Sequence, residues 1–332
     1  MRLRDEMGTA MRRGALALLT TLAAVHAAAA QPAAWPERPV HLIVPFPAGS
    51  SSDIVARIVA QKLGERLGRQ LVVENRPGAS GNLGTEAVAH ASADGYTLGL
   101  ANTSTHTLSP SLMAKPTYDP VKDFVPISMI GASPFVVALY PDVPAQSVQE
   151  LVALAKTKPA KLTFASAGPA TLANLAGVLF AKTANIELTP VSYRGSGQEI
   201  LDVVAGRVDM AFATIPPTLP LIRDGKVRAI AVTGLQRSPT LADVPTVAES
   251  GLPGYESVLW QALYAPVGTP AAIVTRLNAE VNAILHDSDT VGALVKLGVE
   301  AQPSTPQQFA DRIAADLKKW HDVIVSAGIQ PQ

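Results

Sequence analysis

Three short loops hold the residues best suited to chemistry, and all are built largely from small side chains: Ala48-Gly49-Ser50-Ser51-Ser52-Asp53, Ser166-Ala167-Gly168-Pro169-Ala170-Thr171 and Arg194-Gly195-Ser196-Gly197. Each follows a strand-like run and precedes a helix-like one, so each places unpaired backbone N–H groups at the positive end of a helix dipole. Small side chains let an anion approach those donors, and a carboxylate fits there with no lysine opposite. Arg194 can add a charge-assisted contact. A plainer reading stands beside this one. Ser50 or Ser51 can cap its helix while Asp53 complements the dipole, and Ser196 with Glu199 forms a capping-box pattern that commits the hydroxyl locally. Recurrence favours anion capture, with one loop early in the chain and two later, facing a shared cleft. The expected ligand contacts are Ala48 to Asp53, Ser166, Gly168, Thr171 and Arg194 to Gly197.

Other chemistry finds less support. The glycines of Arg76–Gly84 fall at 78, 81 and 84, which is not the dinucleotide spacing, and no phosphate-binding P-loop pattern occurs. That segment reads as a structural loop or a fourth wall of the cleft. The six histidines (His26, His41, His90, His106, His286 and His321) form neither a close pair nor a zinc-protease motif, and read as surface or capping residues. Ser80 follows Gly78-Ala79 but lacks the spacing of a nucleophile elbow. Asp202 and Asp209 read as solvated or hinge groups. Cysteine is absent, which removes thiol nucleophiles, thiolate-bound metals, disulfides and the lipidated residue of a bacterial lipoprotein. The residues point to a binder that is not an enzyme and needs no metal or cofactor.

The elements that position these loops alternate as in an α/β fold with largely parallel sheets. Residues 41–46 read as a buried strand, followed by helical spacing at Ile54, Val55, Ile58, Val59, Leu63 and Leu67, with Gly68 as its stop. A second unit runs from strand 71–74 through a helix ending near Ala91 to strand 96–101. Prolines 116, 120 and 126 punctuate the approach to strand-like pieces at 127–130 and 135–140. Strands 162–166, 189–193, 208–214 and 227–233 then alternate with helices 147–157, 171–184, 197–205 and one closed by Gly225. A strand at 258–264 and two helices, 271–286 and 306–327, finish the chain, the last opened by a capping box at Thr305-Pro306-Gln307-Gln308. This order predicts two α/β lobes joined by crossings near 130 and 235: residues 31–130 with 236–332, and 131–235.

The full chain of 332 residues carries 27 basic and 27 acidic groups. Residues 1–30 read as an export signal, with Arg2, Arg4, Arg12 and Arg13 before an apolar run ending in Ala28-Ala29-Ala30, too short to span a bilayer. An uncleaved anchor or an Ala-rich buried helix is the other reading. Cleavage near Ala30 removes four basic and two acidic groups and leaves a slightly acidic mature chain, free in the periplasm with no lipid anchor. No basic excess remains to neutralise phosphates, which excludes nucleic acid as a partner.

Several ordered motifs carry a resemblance. Residues 35–40 leading into VPFPAGSSSDIVAR (44–57), then VVENRPGASGNLGT (72–85), YDPVKDFVPISMI (118–130) and SYRGSGQEILDVVAGRVDMAF (192–212), resemble the Bug-type substrate-binding proteins of tripartite tricarboxylate transporters. The likeness runs from about residue 35 to 327. It implies a two-lobed Venus-flytrap, type II-like periplasmic binding protein, α/β in class with a hinge, acting as a monomer. The implied ligand is a small mono-, di- or tricarboxylate, passed to membrane transporter subunits or presented to a sensor kinase. The resemblance places the ligand carboxylate at Ala48–Asp53 and Arg194–Gly197, often through waters, with Ser166–Thr171 lining the second lobe. Two departures stand where selectivity is set: the family's PAGG is Pro47-Ala48-Gly49-Ser50 here, and its His-Leu is Asn174-Leu175.

Overall fold

Val40, Leu42 and Val44 are fully buried and build β1 (Val40–Val44) of the computed structural model, which describes residues 35–157, 161–166, 171–193 and 198–331. The export segment expected over 1–30 lies outside the described residues. Next comes α1 (Ser51–Leu67), which buries Val55, Ala56, Val59, Ala60 and Leu63 on one face and ends at Gly68 with φ 70. The second unit is β2 (Leu71–Asn75), α2 (Asn82–Ala89) and β3 (Thr97–Asn102). β1 pairs in parallel with both β2 and β3, so the loops leaving the three strands emerge along one edge. After β3 the chain makes a π-helical turn at Ser104–Leu108 and runs directly into α3 (Ser109–Leu112). Such turns occur mostly as local departures near functional sites.

The two strand pieces expected at 127–130 and 135–140 are one strand, β4 (Phe124–Leu139). Its prolines sit where no ladder donor is needed. Pro126 adjoins a register shift, and Pro134 is the last residue paired with β9 (Val258–Pro266) before β4 changes partners. From Phe135 onward β4 pairs with β7 (Met210–Thr214) and β8 (Arg228–Val232). Between them lie α4 (Val148–Thr157), β5 (Thr163–Ser166), α5 (Leu172–Ala184), β6 (Thr189–Ser192) and α6 (Gln198–Val204), with α7 (Ile215–Arg223) preceding β8. The chain closes with α8 (Ala271–Ile284), α9 (Ser288–Lys296), β10 (Glu300–Ala301) and α10 (Pro306–Ser326). The strands run β2-β1-β3-β9-β4-β7-β5-β6, with β8 and β10 also on β4.

Two expectations need correction. The sheet is mixed: β1 and β5 make parallel pairs, but every partner of β4 is antiparallel to it, because the chain returns as β9 between β3 and β4. A further helix, α9, stands between the two expected at the end. Asp287 caps it by accepting from Thr290 N–H, at a point where the apolar periodicity of α8 runs on without a glycine or proline break. The last helix, α10, packs on two cores. Its capping box at Thr305 and Gln308 forms as expected, yet its two halves serve different cores. Phe309 and Ile313 cluster with Val258, Trp260, Ala262 and Tyr264, whereas Trp320, Val323 and Ile324 cluster with Phe180, Phe212 and Tyr255.

Candidate functional site

Beyond β1 the chain runs through Pro45-Phe46-Pro47-Ala48-Gly49-Ser50, and Asp53 ties that segment back onto the first turn of α1. Gly49 turns at φ 80, a conformation that strains other residues, and its N–H donates to Asp53 Oδ2 at 2.8 Å. Arg57 Nε donates to the same oxygen at 3.1 Å. Asn75 Nδ2 donates to Asp53 Oδ1 at 2.9 Å and lies 3.0 Å from the Phe46 carbonyl. Burial alone would raise the Asp53 pKa, but hydrogen bonds from Arg57, Gly49 and Asn75 outweigh it and hold the carboxyl below its ordinary value. Asp53, expected to touch ligand, is therefore the loop's internal anchor, both oxygens being engaged by the chain itself. Ser50 is the N-cap, its hydroxyl accepting from Asp53 N–H at 3.3 Å. The N–H groups of Ser51 and Ser52 begin α1 and lie outside its own ladder.

The β2–α2 loop interlocks with this one. A Cβ on Gly81 would lie 2.8 Å from Thr105 Cγ2 and 3.2 Å from Phe46 Cζ, so only glycine lets the loops approach this closely. Just before it, Ala79 and Ser80 hold φ values of 46 and 58 in succession. Non-glycine residues stay in that region only when the surroundings over-determine them, which is common at ligand clamps. Asn82 is buried, and its Oδ1 lies 2.9 Å from the Tyr118 hydroxyl. That leaves its amide N–H groups as the available donors.

The π-helical turn supplies the third strand-end segment. His106, expected at the surface or as a cap, is instead fully buried among Phe124, Trp260, Tyr264 and Tyr118, with ring centroids 4.6–6.5 Å away. Desolvation pushes its pKa down to about 3, so the ring is neutral and acts as packing for the turn. His90 is the C-cap of α2, as expected of a capping residue.

These segments meet α5 in a cleft of about 570 Å³. Its lining mixes polar residues, Ser80, Asn82, Ser104, Ser109, Thr171 and Gln330, with apolar ones, Phe46, Leu108, Leu112, Met113, Leu172 and Ile329. Among the described residues, no charged side chain lines it. A wider recess of about 710 Å³ beside the edge strand β2, with Arg57, Gln61 and Glu65 in its wall, touches none of the strand-end loops.

Of the expected contacts, Thr171 reaches the cleft and also caps α5, its hydroxyl accepting from Asn174 N–H at 3.3 Å. Ala48 to Ser52 share a loop with Phe46 but stand outside this wall. Ser166 ends β5 in register with Ser192 at the end of β6, so these two neighbouring parallel strands end side by side. Gly168, Arg194, Gly195, Ser196 and Gly197 lie outside the described residues. Asn82 belongs to the Arg76–Gly84 segment read as a structural loop or a fourth wall of the cleft, whereas Ser104 and Ser109 were not anticipated. Asn102-Thr103-Ser104-Thr105 is also a strand end followed by hydroxyl residues, but with no glycine it does not read as a ligand loop.

Glu199, the other half of the expected capping box, is buried in α6 with no partner on Oε2. Burial raises its pKa above 4.5, so its contribution to stability is full below that value and declines as pH rises through the folded-state pKa. Glu199→Gln is expected to raise the melting temperature at pH 7.5 by about 2–4 °C and to leave it unchanged at pH 4. Thermal scans at the two pH values check both parts; an equal shift at pH 4 would exclude ionisation as the cause.

A family model described as the tripartite tricarboxylate transporter family receptor matches residues 55–329. The protein BugT of Bordetella pertussis is 36% identical over 295 residues, which cover 89% of this chain and 90% of BugT. Among solved structures, the Rhodopseudomonas palustris protein Rpa4515 with adipate is 35% identical with a TM-score of 0.73, covering 90% of this chain and all of its own. MatC of the same organism, with bound malate, is 33% identical with a TM-score of 0.68, covering 87% of this chain and all of its own. The fold these share with the present chain is α/β and two-lobed.

Proposed function

The chain belongs to the tripartite tricarboxylate transporter receptor family, and from that premise we propose that it captures a small carboxylate in the 570 Å³ cleft and carries it through the periplasm to the transporter's membrane subunits. The observation that carries this reading is the convergence of three strand-end loops and the start of α5 on one cavity walled by hydroxyls, amides and apolar side chains. Relatives held adipate and malate when solved, which supports an organic acid as the ligand class. Delivery to a transporter is preferred to presentation to a sensor kinase because the matching family is defined by the transporter. Capture is without chemical conversion: the described lining offers hydroxyls but no side chain of the cleft wall positioned to activate them.

In this reading the lobes are 31–130 with 236–332 and 131–235, and closure bends the chain near Pro134 and Thr233. There Thr233 Oγ1 accepts from Phe135 N–H at 2.7 Å and donates to the Ser257 carbonyl at 2.6 Å. In the same reading, cleavage near Ala30 releases the mature chain as a monomer. No helix among the described residues is long and apolar enough to cross a membrane. Of the contacts expected from sequence, Thr171 lines the cleft itself, and the Ser51 and Ser52 N–H groups, on the loop that brings Phe46 to the cleft, complete the proposed site together with the 194–197 loop.

A thermal-shift panel of carboxylates, neutral amides and sugars tests this. Ligand at a hundred times its Kd adds about 2.7 kcal/mol, which raises the melting temperature by several degrees. Carboxylates alone are expected to shift it, and Ser51→Trp is expected to abolish the shift while leaving the unliganded protein folded. A response to sugars or amides with none to any carboxylate would sink the proposal.

A further inference from the structure

Resting on the capture reading above, we infer that Gln330 contacts the bound acid, and that Gly328 and Ile329 act as positioning residues that hold it at the cleft. No strand end supplies this part of the lining. α10 closes on Ala327, and Gly328 follows at φ 66, the left-handed conformation that glycine adopts without strain. Gly328 N–H donates to the Val325 carbonyl at 3.1 Å, and Ile329 N–H donates to the Ile324 carbonyl at 3.2 Å. These two bonds make a Schellman motif, which turns the chain off the helix axis and is frequently sealed by an apolar contact from the residue after the glycine. Here that residue is Ile329, and it packs on the core cluster that contains Ile324, Leu108 and Leu172. Leu108 and Leu172 also line the 570 Å³ cleft, so an Ile329 seated on that cluster delivers Gln330 to the same lining.

Gln330 is exposed, and its amide brings two donors and an acceptor to a lining that, among the described residues, holds no charged side chain. A hydrogen bond from an amide to a carboxylate has a charged acceptor and is stronger than one between neutral groups, so even at an exposed position it raises affinity about five-fold. The helix that carries the turn is braced against the site as well. α10 runs beside the π-helical turn and α3, which bring Ser104 and Ser109 to the lining.

Gln330→Glu tests the contact with almost no change of shape. Titration calorimetry of the full mature chain with adipate, and separately with malate, at pH 7.5 is expected to show a Kd about ten-fold above wild type, because a carboxylate then faces a carboxylate. That ratio should shrink to about three-fold in about 0.5 M NaCl, since salt screens exposed charges and does not repair a disturbed fold. Gln236→Glu, the same change at an exposed amide outside the lining, should leave Kd within two-fold. Gln330→Ala should raise Kd about five-fold with the melting temperature of the unliganded protein unchanged. Gly328→Val cannot keep the left-handed turn and should weaken binding at least as much. Adding Gln330→Ala to Gly328→Val should then cost less than two-fold more, the amide having already left the cleft. Kd within two-fold of wild type for both Gln330 variants, or a Gln330→Glu loss that salt leaves unchanged, overturns this inference and leaves carboxylate capture standing. A wild-type protein that binds neither adipate, malate nor any other acid of the panel overturns both.

Discussion

Replacing Asp316 with alanine is expected to cost about 3–5 kcal/mol of folding stability and to lower the melting temperature by roughly 6–10 °C. Asp316 is 3% exposed and is the node of a buried charge cluster. Its Oδ2 accepts from Trp260 Nε1 and from Arg312 Nε, each at 2.8 Å, and its Oδ1 pairs with Lys319 Nζ at 2.9 Å. Arg312 in turn pairs with Glu256 at 3.0 Å. Deleting the carboxylate strands an indole donor and leaves two cations with one acidic partner, which is why loss of one member exceeds the net worth of the intact pair. The position magnifies the effect. The cluster lies between the half of α10 that packs on Trp260 and the half that packs on Phe180 and Tyr255, so loosening it frees both.

The pH dependence has a definite sign. Burial raises the Asp316 pKa, but Lys319 and Arg312 more than offset it and hold the net value below 3.8. The stabilisation is therefore present above about pH 4 and lost as pH falls through the depressed value. Wild type and Asp316→Ala should differ by a constant amount from pH 5 to 8 and converge below pH 4. Chemical denaturation across that range checks it, and a gap that persists at pH 2.5 would assign the effect to packing alone.

What the sequence made legible follows from the range of each interaction. α1, its Gly68 stop and the Thr305–Gln308 capping box are set by residues within a turn of one another, and local spacing suffices to read them. In sequence β4 reads as two strand-like pieces, 127–130 and 135–140; only the partners β9, β7 and β8 show that Pro126 and Pro134 stand at a register shift and a change of partner. The role of α10 depends on contacts with residues more than fifty positions away, and in sequence Asp316 is one more acid between an arginine and a lysine. At the site, small-residue loops read as lying at strand ends, and the loops leaving β1, β2 and β3 do emerge along one edge of the sheet. Asp53 reads in sequence as a ligand contact while its carboxylate bonds Gly49, Arg57 and Asn75, because an acid in the first turn of a helix reads the same whether it faces a ligand or the turn beneath it. Ser104 and Ser109 escaped for the opposite reason, since the π-helical turn that presents them has no periodicity of its own.

Asp53→Ala is the substitution expected to do most damage to binding without touching the ligand. The carboxylate fixes Gly49 N–H, Arg57 and Asn75 together, and Asn75 lies against the Phe46 carbonyl, so one side chain sets the path of the loop from Phe46 to Ser50. Without it that loop must be ordered at the moment of binding. Fixing two residues costs about 2–4 kcal/mol, which weakens affinity by roughly thirty-fold or more. The stability cost is expected to be smaller, about 1.5–3 kcal/mol, because Arg57 is half exposed and its freed charge is hydrated. Asp53→Asn keeps an acceptor for Gly49 or Asn75 but gives up the charge facing Arg57, and should fall between wild type and alanine in both measurements. Calorimetric titration with the best carboxylate from the panel, alongside melting curves, separates the two effects. If Asp53→Ala lowers the melting temperature yet leaves Kd within two-fold, the β1–α1 loop is scaffold only, and the carboxylate must be held by Asn82, Ser104 and Ser109 of the cleft lining.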